Sequence, residues 1–383
     1  MEKIVCLSTS NYHPFPTRKQ NVMNRLKNAE VLYFDPPVTY LAPLKDKAAR
    51  PRLKMYKEAG QHPLEHITVY ATPPVLPFGN KFTWINRLNQ KKLARYVSRR
   101  MKEHGMEDPV LWCYSPCSAH ITGHIPHKGL VYDCVDRHSA YTGFIDPKVV
   151  DAMEEKLARE ADMVFCTAAG LYDTLVQYNP RTKLIPNGAA YELFSQAAGE
   201  NPRHDPAHPV FGFVGMLQDC IAYDYLLALA DAYPMGEIRM IGRVMPGVDI
   251  SQLEQRPNIK LLGLMPQDKL PEQMRLFDVC LNLFAPGRLS RDVSPLKFYE
   301  YLATGKPVVS TPEPLQVKDY QQVIYIAESI EDFLAKCADA LAENDPALIA
   351  QRLAAGEAAS WNNRVKQMQD ELTAVGVFSG DMK

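Results

Sequence analysis

The residues with the clearest chemical potential lie in the run Ser294-Pro-Leu-Lys-Phe-Tyr-Glu-Tyr-Leu-Ala-Thr-Gly-Lys-Pro-Val-Val-Ser310. The pattern predicts a helix with Ser294 as N-cap and Pro295 in its first turn, where no amide hydrogen is needed. Gly305 suits the residue just past the helix, and Pro307 keeps the helix from resuming before a short strand at Val308. Lys297, Glu300 and Thr304 share one face at helical spacing, while Pro295, Tyr299, Leu302 and Ala303 share another. A helix start offers unpaired amides; with a hydroxyl and the Lys297 ammonium within one turn, it can hold a phosphate. Glu300, one turn further in, can accept hydrogen bonds from two sugar hydroxyls. A diphosphate attached to a ribose satisfies all of these groups together.

A second constellation is Leu130-Val-Tyr-Asp-Cys-Val-Asp-Arg-His-Ser139, an apolar strand that opens into Asp133, Asp136 and His138. A carboxylate at such a strand end can serve as a general base, its pKa raised by apolar surroundings and lowered by Arg137 or His138. Either acid can equally cap the following loop, and a lone histidine after a strand is more often structural. Arg18 and Lys19 follow another strand end, where they can meet a phosphate on a second substrate or simply begin an exposed helix. Gly212-Phe-Val-Gly215-Met216 and Ile241-Gly242-Arg243 are strands ending in glycine turns, which let a backbone approach a ligand closely.

These groups need strands and helices in alternation, and the sequence supplies them. Strands are expected at Ile4–Ser8, Val31–Phe34, Ile67–Ala71, Val110–Tyr114, Leu130–Cys134, Met163–Cys166 and Lys183–Ile185. Helices are expected near 18–28, 83–104, 147–161 and 168–178. After a linker at 195–208, strands recur at Val210–Val214, Glu237–Ile241, Ile259–Leu262, Val279–Leu283, Val308–Ser310 and Val323–Ile326. The fold class is therefore α/β, with two doubly wound domains and ligands outside the carboxyl ends of the strands. A length of 383 residues also calls for two hydrophobic cores.

Charge is unevenly distributed. Residues 1–128 carry 20 Lys and Arg against 9 Asp and Glu, whereas the rest carries 23 against 35. The basic excess concentrates in Lys45–Lys57 and Lys81–Lys102. The latter is a basic amphipathic helix preceded by the apolar loop Pro73-Pro-Val-Leu-Pro-Phe78. Such a surface suits an anionic membrane or a lipid-diphosphate acceptor, and equally a solvated helix packed on its own domain. No nucleic-acid-binding motif accompanies the charge. The eight cysteines are scattered, as in a reducing cytoplasm. Neither a signal peptide nor a membrane span is expected.

Asp292 and Glu300 stand eight positions apart, the second followed by a small-residue run, Gly, Pro and Val. This resembles the nucleotide-sugar signature of GT-B glycosyltransferases, especially glycosyltransferase family 4 and relatives that make bacterial surface polysaccharides. The first acid there is usually Glu, and here it is Asp292. The resemblance implies that Glu300 holds the ribose, Asp292 contacts the donor sugar and Lys297 meets the diphosphate. Leu262-Gly-Leu-Met265-Pro266 resembles the loop whose backbone meets the base, and Pro186-Asn-Gly188 the sequence that closes the N-terminal domain. By the same resemblance a last helix, about 348–375, crosses back over that domain. The implied domains are 1–194, completed by about 348–383, and 209–347, facing an interdomain cleft. Leu130–Ser139 resembles the matching strand of xanthan-type bacterial glucuronosyltransferases. Those enzymes invert configuration, and their catalytic aspartate aligns with Asp136. They share the lysine at Lys297, have glutamine where Glu300 stands, and carry two arginines near Arg18 and Lys19.

The expectation is a metal-independent transferase that takes its sugar from a nucleotide diphosphate, most simply UDP. Lys297, the helix start and Arg243, Arg288 or Arg291 would stabilise the leaving group. No Asp-x-Asp pair is present to clamp a metal. The acceptor would be lipid-linked or a growing polysaccharide, reached at the inner face of the plasma membrane; the Asp292/Glu300 pair resembles that of retaining enzymes and Asp136 the base of inverting ones, with inversion and Asp136 as base slightly preferred. A UDP-sugar 2-epimerase and a catalytically silent scaffold of a polysaccharide assembly complex remain alternatives.

Overall fold

Short runs of Val, Ile, Leu and aromatic residues become strands buried on both faces, as parallel sheets require. The computed structural model describes residues 1–199, 201–202, 204–285 and 291–380. The chain divides into two units, Met1–Ile185 with Val365–Lys383, and Pro186–Arg364.

Unit 1 contains β1 (Glu2–Leu7), β2 (Ala29–Phe34), β3 (Gln61–Leu64), β4 (Ile67–Tyr70), β5 (Val110–Cys113), β6 (Gly129–Cys134), β7 (Met163–Cys166) and β8 (Thr182–Leu184). They form one sheet in the order β3-β4-β2-β1-β5-β6-β7-β8. Every neighbouring pair is parallel except β3 with β4. The order reverses at β1, which places a topological switch point beyond its carboxyl end. The helices used below are α1 (Arg18–Met23), α2 (Thr83–Glu103) and α3 (Pro147–Glu160). The Thr17 amide, just before α1, donates to Gln20 Oε1 at 2.8 Å. The Asp146 carboxylate caps α3 by accepting from the Lys148 amide at 3.0 Å. β3 has no counterpart in the sequence reading. It is mostly exposed, includes Pro63 and pairs at the sheet edge, where a missing amide hydrogen is tolerated.

Unit 2 contains β9 (Val210–Val214), β10 (Glu237–Ile241), β11 (Ile259–Gly263), β12 (Val279–Asn282), β13 (Val308–Ser310) and β14 (Tyr325–Ile326). The sheet is wholly parallel, in the order β11-β10-β9-β12-β13-β14. Its order reverses at β9. Helix α4 (Leu296–Ala303) sits between β12 and β13 in sequence, and α5 (Pro346–Ala358) packs against α4. The buried Arg352 of α5 donates to the Gly305 carbonyl at 2.9 Å and pairs with Glu343. That contact anchors the end of the helix whose start carries the candidate phosphate site.

Two expectations about organisation change. The unit boundary lies at Ile185/Pro186 rather than at 194, because Ala189, Phe194 and Ala197 belong to the hydrophobic cluster of unit 2. The single last helix is two, α5 and α6 (Trp361–Ala374). The break is fixed by Ala189, whose amide donates to the Ala359 carbonyl at 3.0 Å and whose carbonyl accepts from Trp361 at 2.9 Å. Only Val365 onward returns to unit 1. Among the described residues, no helix is long and apolar enough to cross a membrane.

Candidate functional site

In unit 2 the chemistry gathers at the carboxyl end of β9. Gly215 and Gly242 have φ of +147° and +156°, a region that side chains rarely adopt. A Cβ on Gly242 would lie 1.8 Å from the Gly215 carbonyl oxygen, so the two turns can stack only as glycines. The Gly215 amide donates to Ile241 O at 2.8 Å, and the Gly242 amide donates to Gly263 O at 2.8 Å. This ladder carries Met216, Arg243 and the Met265 loop along one sheet edge. Met216 and Arg243 are exposed, and Met265 packs partly into the core.

Lys297 enters this turn from α4. Its Nζ lies 3.7 Å from the Phe213 ring centroid and 4.6 Å from that of Phe284. Two ring faces attract an ammonium but bring no full negative charge. Burial pushes its pKa down to about 7, with only the Cys220 thiol opposing. Among the described residues it has neither ion pair nor hydrogen bond. One turn on, burial raises Glu300 to about 7, and its single hydrogen bond is a long 3.4 Å contact from Gln267. A cation lacking an anion therefore stands beside an acid lacking donors. An esterified diphosphate joined to a ribose supplies both.

The start of α4 differs from the sequence expectation. Pro295, with φ −74° and ψ 121°, takes the N-cap position, and Ser294 lies before it. Ser294 Oγ instead accepts from the Asn187 amide at 3.1 Å, while Asn187 Nδ2 donates to the Ser294 carbonyl at 2.6 Å. Ser294 thus fixes the approach of the chain to the helix. Gly305 does end it, with φ +69° and its amide donating to Leu302 O at 3.0 Å. Lys297 through Ala303 are all buried, so both faces of this helix lie in the core. Asp292 is buried and Arg291 exposed, whereas Arg288 lies outside the described residues.

In unit 1 the carboxyl ends of β1, β5 and β6 gather Lys19, Tyr114, Asp133, Asp136 and His138. Asp136 Oδ2 accepts from the Tyr141 hydroxyl at 3.0 Å. Lys19 is buried, and desolvation lowers its pKa against the pull of Asp136 and Asp133. Burial, reinforced by Lys19, pushes His138 down to about 4 although Asp136 acts the other way, so its imidazole is neutral at pH 7. His138 Nδ1 lies 3.0 Å from the Asp136 carbonyl oxygen. Arg18 does not stand at an exposed helix start. It is 2% exposed and grips the fully buried Asp133 at 2.9 and 3.1 Å, with a further bond to Ile185 O. Both charges are desolvated, so each depends on the other. Among the described residues, no group of three or more His, Cys, Asp or Glu is placed to hold a metal ion.

No family model matches the sequence. TuaH of Bacillus subtilis (strain 168), whose name assigns it to teichuronic acid biosynthesis as a glycosyltransferase, is 26% identical over 261 residues. That alignment covers 62% of this chain and spans 65% of the relative's own length. The sucrose-phosphate synthase of Thermosynechococcus elongatus matches in structure with a TM-score of 0.70 at 14% identity, over 98% of this chain and 99% of that one. Anabaena HepE in complex with UDP and glucose matches with a TM-score of 0.64 at 16% identity, over 98% and 100%. The fold is GT-B.

In this GT-B chain several residues of the two constellations escaped the sequence reading. Phe213 and Phe284 flank Lys297, Gln267 reaches Glu300, Asn187 holds Ser294 and Tyr141 holds Asp136. Phe213 was signalled by its place inside the glycine-flanked strand end. Tyr141 lies five residues after Asp136, within reach across one tight loop. Phe284 and Gln267 follow strands whose ends converge only in the folded sheet, and no local pattern marks them.

Proposed function

We propose that this protein is a glycosyltransferase that takes a sugar from a UDP-linked donor and passes it to a lipid-linked or growing polysaccharide acceptor. The observation that carries the reading is the buried Lys297 ammonium, without a counter-charge among the described residues, set between the β9 glycine turn and Glu300. The donor's diphosphate would take that charge, assisted by the α4 amides and Arg243, and the ribose hydroxyls would donate to Glu300. Asp292 would meet the donor sugar. Charge that develops on the departing diphosphate is then met by fixed groups needing no reorganisation, the usual source of large rate gains. The names of the relatives support this reading: TuaH is named a glycosyltransferase, and HepE was crystallised with UDP-glucose.

Asp136 is the proposed base. It would accept the proton of the acceptor hydroxyl as that oxygen attacks the anomeric carbon from the face opposite the diphosphate, which inverts configuration. Tyr141 orients one carboxylate oxygen and leaves the other for the substrate. A metal ion has no part in this scheme, so activity should survive EDTA. The basic face of α2 would hold the protein at an anionic cytoplasmic membrane surface. The test is incubation with UDP-sugars, with and without acceptor glycolipid, followed by NMR of the product's anomeric proton. Transfer with inversion supports the proposal. An epimer formed from donor alone indicates an isomerase, and no chemistry with any acceptor indicates a scaffold.

A further inference from the structure

Unit 1 holds two adjoining cavities beyond the carboxyl ends of β1, β2 and β4. One is polar, about 260 Å³, and is lined by Asn11, His13, Asp35 and Thr72 among others. Its neighbour, about 820 Å³, is walled by Leu41, Val75, Leu76, Leu93, Phe144 and Ile145. Val38 and Arg52 line both. Arg52 donates to Asn11 Oδ1 at 2.8 Å and forms no ion pair among the described residues. On the same stretch Lys47, Arg50 and Lys54 are exposed, and the exposed Leu41, Leu44 and Leu76 border the apolar side.

We infer that these cavities together bind one amphiphile, with hydrocarbon in the larger, a phosphate at Arg52 and a hydroxylated head group in the smaller. The larger volume falls inside the range of small-molecule pockets, roughly 300–1,000 Å³. An apolar chamber alone would fit many ligands. Among the described residues, Arg52 is the one arginine or lysine lining either chamber, beside Asp35 and Glu58 of the smaller and Asp46 of the larger, and a guanidinium binds an anionic phosphate in bidentate fashion. Asp35 lines the smaller chamber, accepts from the Tyr12 amide at 2.8 Å, and has its carboxyl raised by burial, with the Tyr12 bond and Arg52 acting the other way. That makes it a partner for sugar hydroxyls rather than for the phosphate. This deepens the proposed function, on which it rests, by identifying the acceptor as a phosphate-bearing lipid whose head group is a sugar.

The test is calorimetric titration of the full chain with octyl, decyl and dodecyl phosphate below their micelle concentrations, with inorganic phosphate and the matching alcohols as controls. Affinity should rise by roughly threefold to fourfold per added methylene, the increment for hydrocarbon leaving water. Inorganic phosphate and the alcohols should bind at least about tenfold more weakly. Arg52→Gln should bring decyl phosphate down to the level of decanol, and Ala42→Trp, which fills the chamber from its wall, should abolish binding. A series flat in chain length, or an Arg52→Gln variant with undiminished affinity, overturns the inference. Each protein is titrated in parallel with UDP-glucose. Intact nucleotide binding beside failed alkyl-phosphate binding refutes the amphiphile site alone, whereas the converse refutes the donor reading alone.

Discussion

Lys297 and Glu300 both titrate near pH 7 in the empty site, from opposite starting points. The lysine falls from 10.5, which disfavours its charged form by on the order of 5 kcal/mol. A diphosphate restores that charge, so binding raises the lysine's pKa and takes up a proton wherever the empty site is neutral. Ribose hydroxyls that donate to Glu300 favour the carboxylate, so binding lowers its pKa and releases a proton wherever the empty site is protonated. At pH 8 the lysine is about nine-tenths neutral and the acid about nine-tenths ionised, so binding takes up a net ~0.8 proton. At pH 6 the occupancies are reversed, and binding releases a net ~0.8 proton. The sign changes near pH 7.

UDP-glucose is the appropriate ligand, because its diphosphate is esterified at both ends and brings no proton of its own into this range. The assay is isothermal titration in buffers of differing ionisation enthalpy, at pH 6, 7 and 8. The slope of observed enthalpy against buffer enthalpy gives the protons exchanged. Lys297→Met should abolish uptake at pH 8 and leave release at pH 6, while Glu300→Gln should do the reverse. Proton exchange near zero at both extremes, with nucleotide bound, would show that neither group contacts the ligand.

Four further outcomes are expected. Asp136→Asn should lower transfer by about 10²-fold or more, as for loss of a general base, with UDP-glucose affinity unchanged by calorimetry; retained turnover would assign the base elsewhere. Arg18→Met leaves Asp133 buried without its partner and should cost about 3–5 kcal/mol in urea unfolding; a loss below about 1 kcal/mol would mean that the pair is not desolvated. Gly242→Ala forces a Cβ onto the Gly215 carbonyl and should weaken UDP-glucose by about tenfold or more; normal affinity would separate that turn from the nucleotide. Neutralising Lys91, Lys92, Arg95 and Arg99 should reduce sedimentation with anionic vesicles in a salt-dependent way; equal sedimentation would leave α2 as a solvated helix.

The legible parts of this chain were those written in local pattern. Among the described residues, apolar runs located thirteen of the fourteen strands, the central ones because a strand buried on both faces must be continuously apolar. The exception, β3, is an exposed edge whose only support is its partner β4. Lys297, Glu300 and the glycine turns were readable for a similar reason, since helix spacing and positive φ leave marks within a few residues. What escaped was long-range. Arg18 could be read as meeting a phosphate or as beginning an exposed helix, because its partner Asp133 lies 115 positions away. The Ser294 cap failed because Asn187, 107 positions earlier, takes its hydroxyl. The two cavities of unit 1 draw their walls from loops that no spacing connects.

The two units handle charge at their strand ends in opposite ways, and that contrast bears on where chemistry can happen. In unit 1 the deepest charges, Arg18 and Asp133, pair with each other. Their pairing sets the start of α1, and so places Lys19 within the field of Asp136 and His138. In unit 2 the corresponding charges are left apart. Among the described residues, Lys297 faces two aromatic rings and the Cys220 thiol, and Glu300 a distant amide. Evolution toward stability alone would have paired or removed them, because each costs folding free energy while the site is empty. Their presence in a glycine-lined turn is what supports the proposed ligand, one that carries the missing groups, an anionic bridge and a pair of hydroxyls.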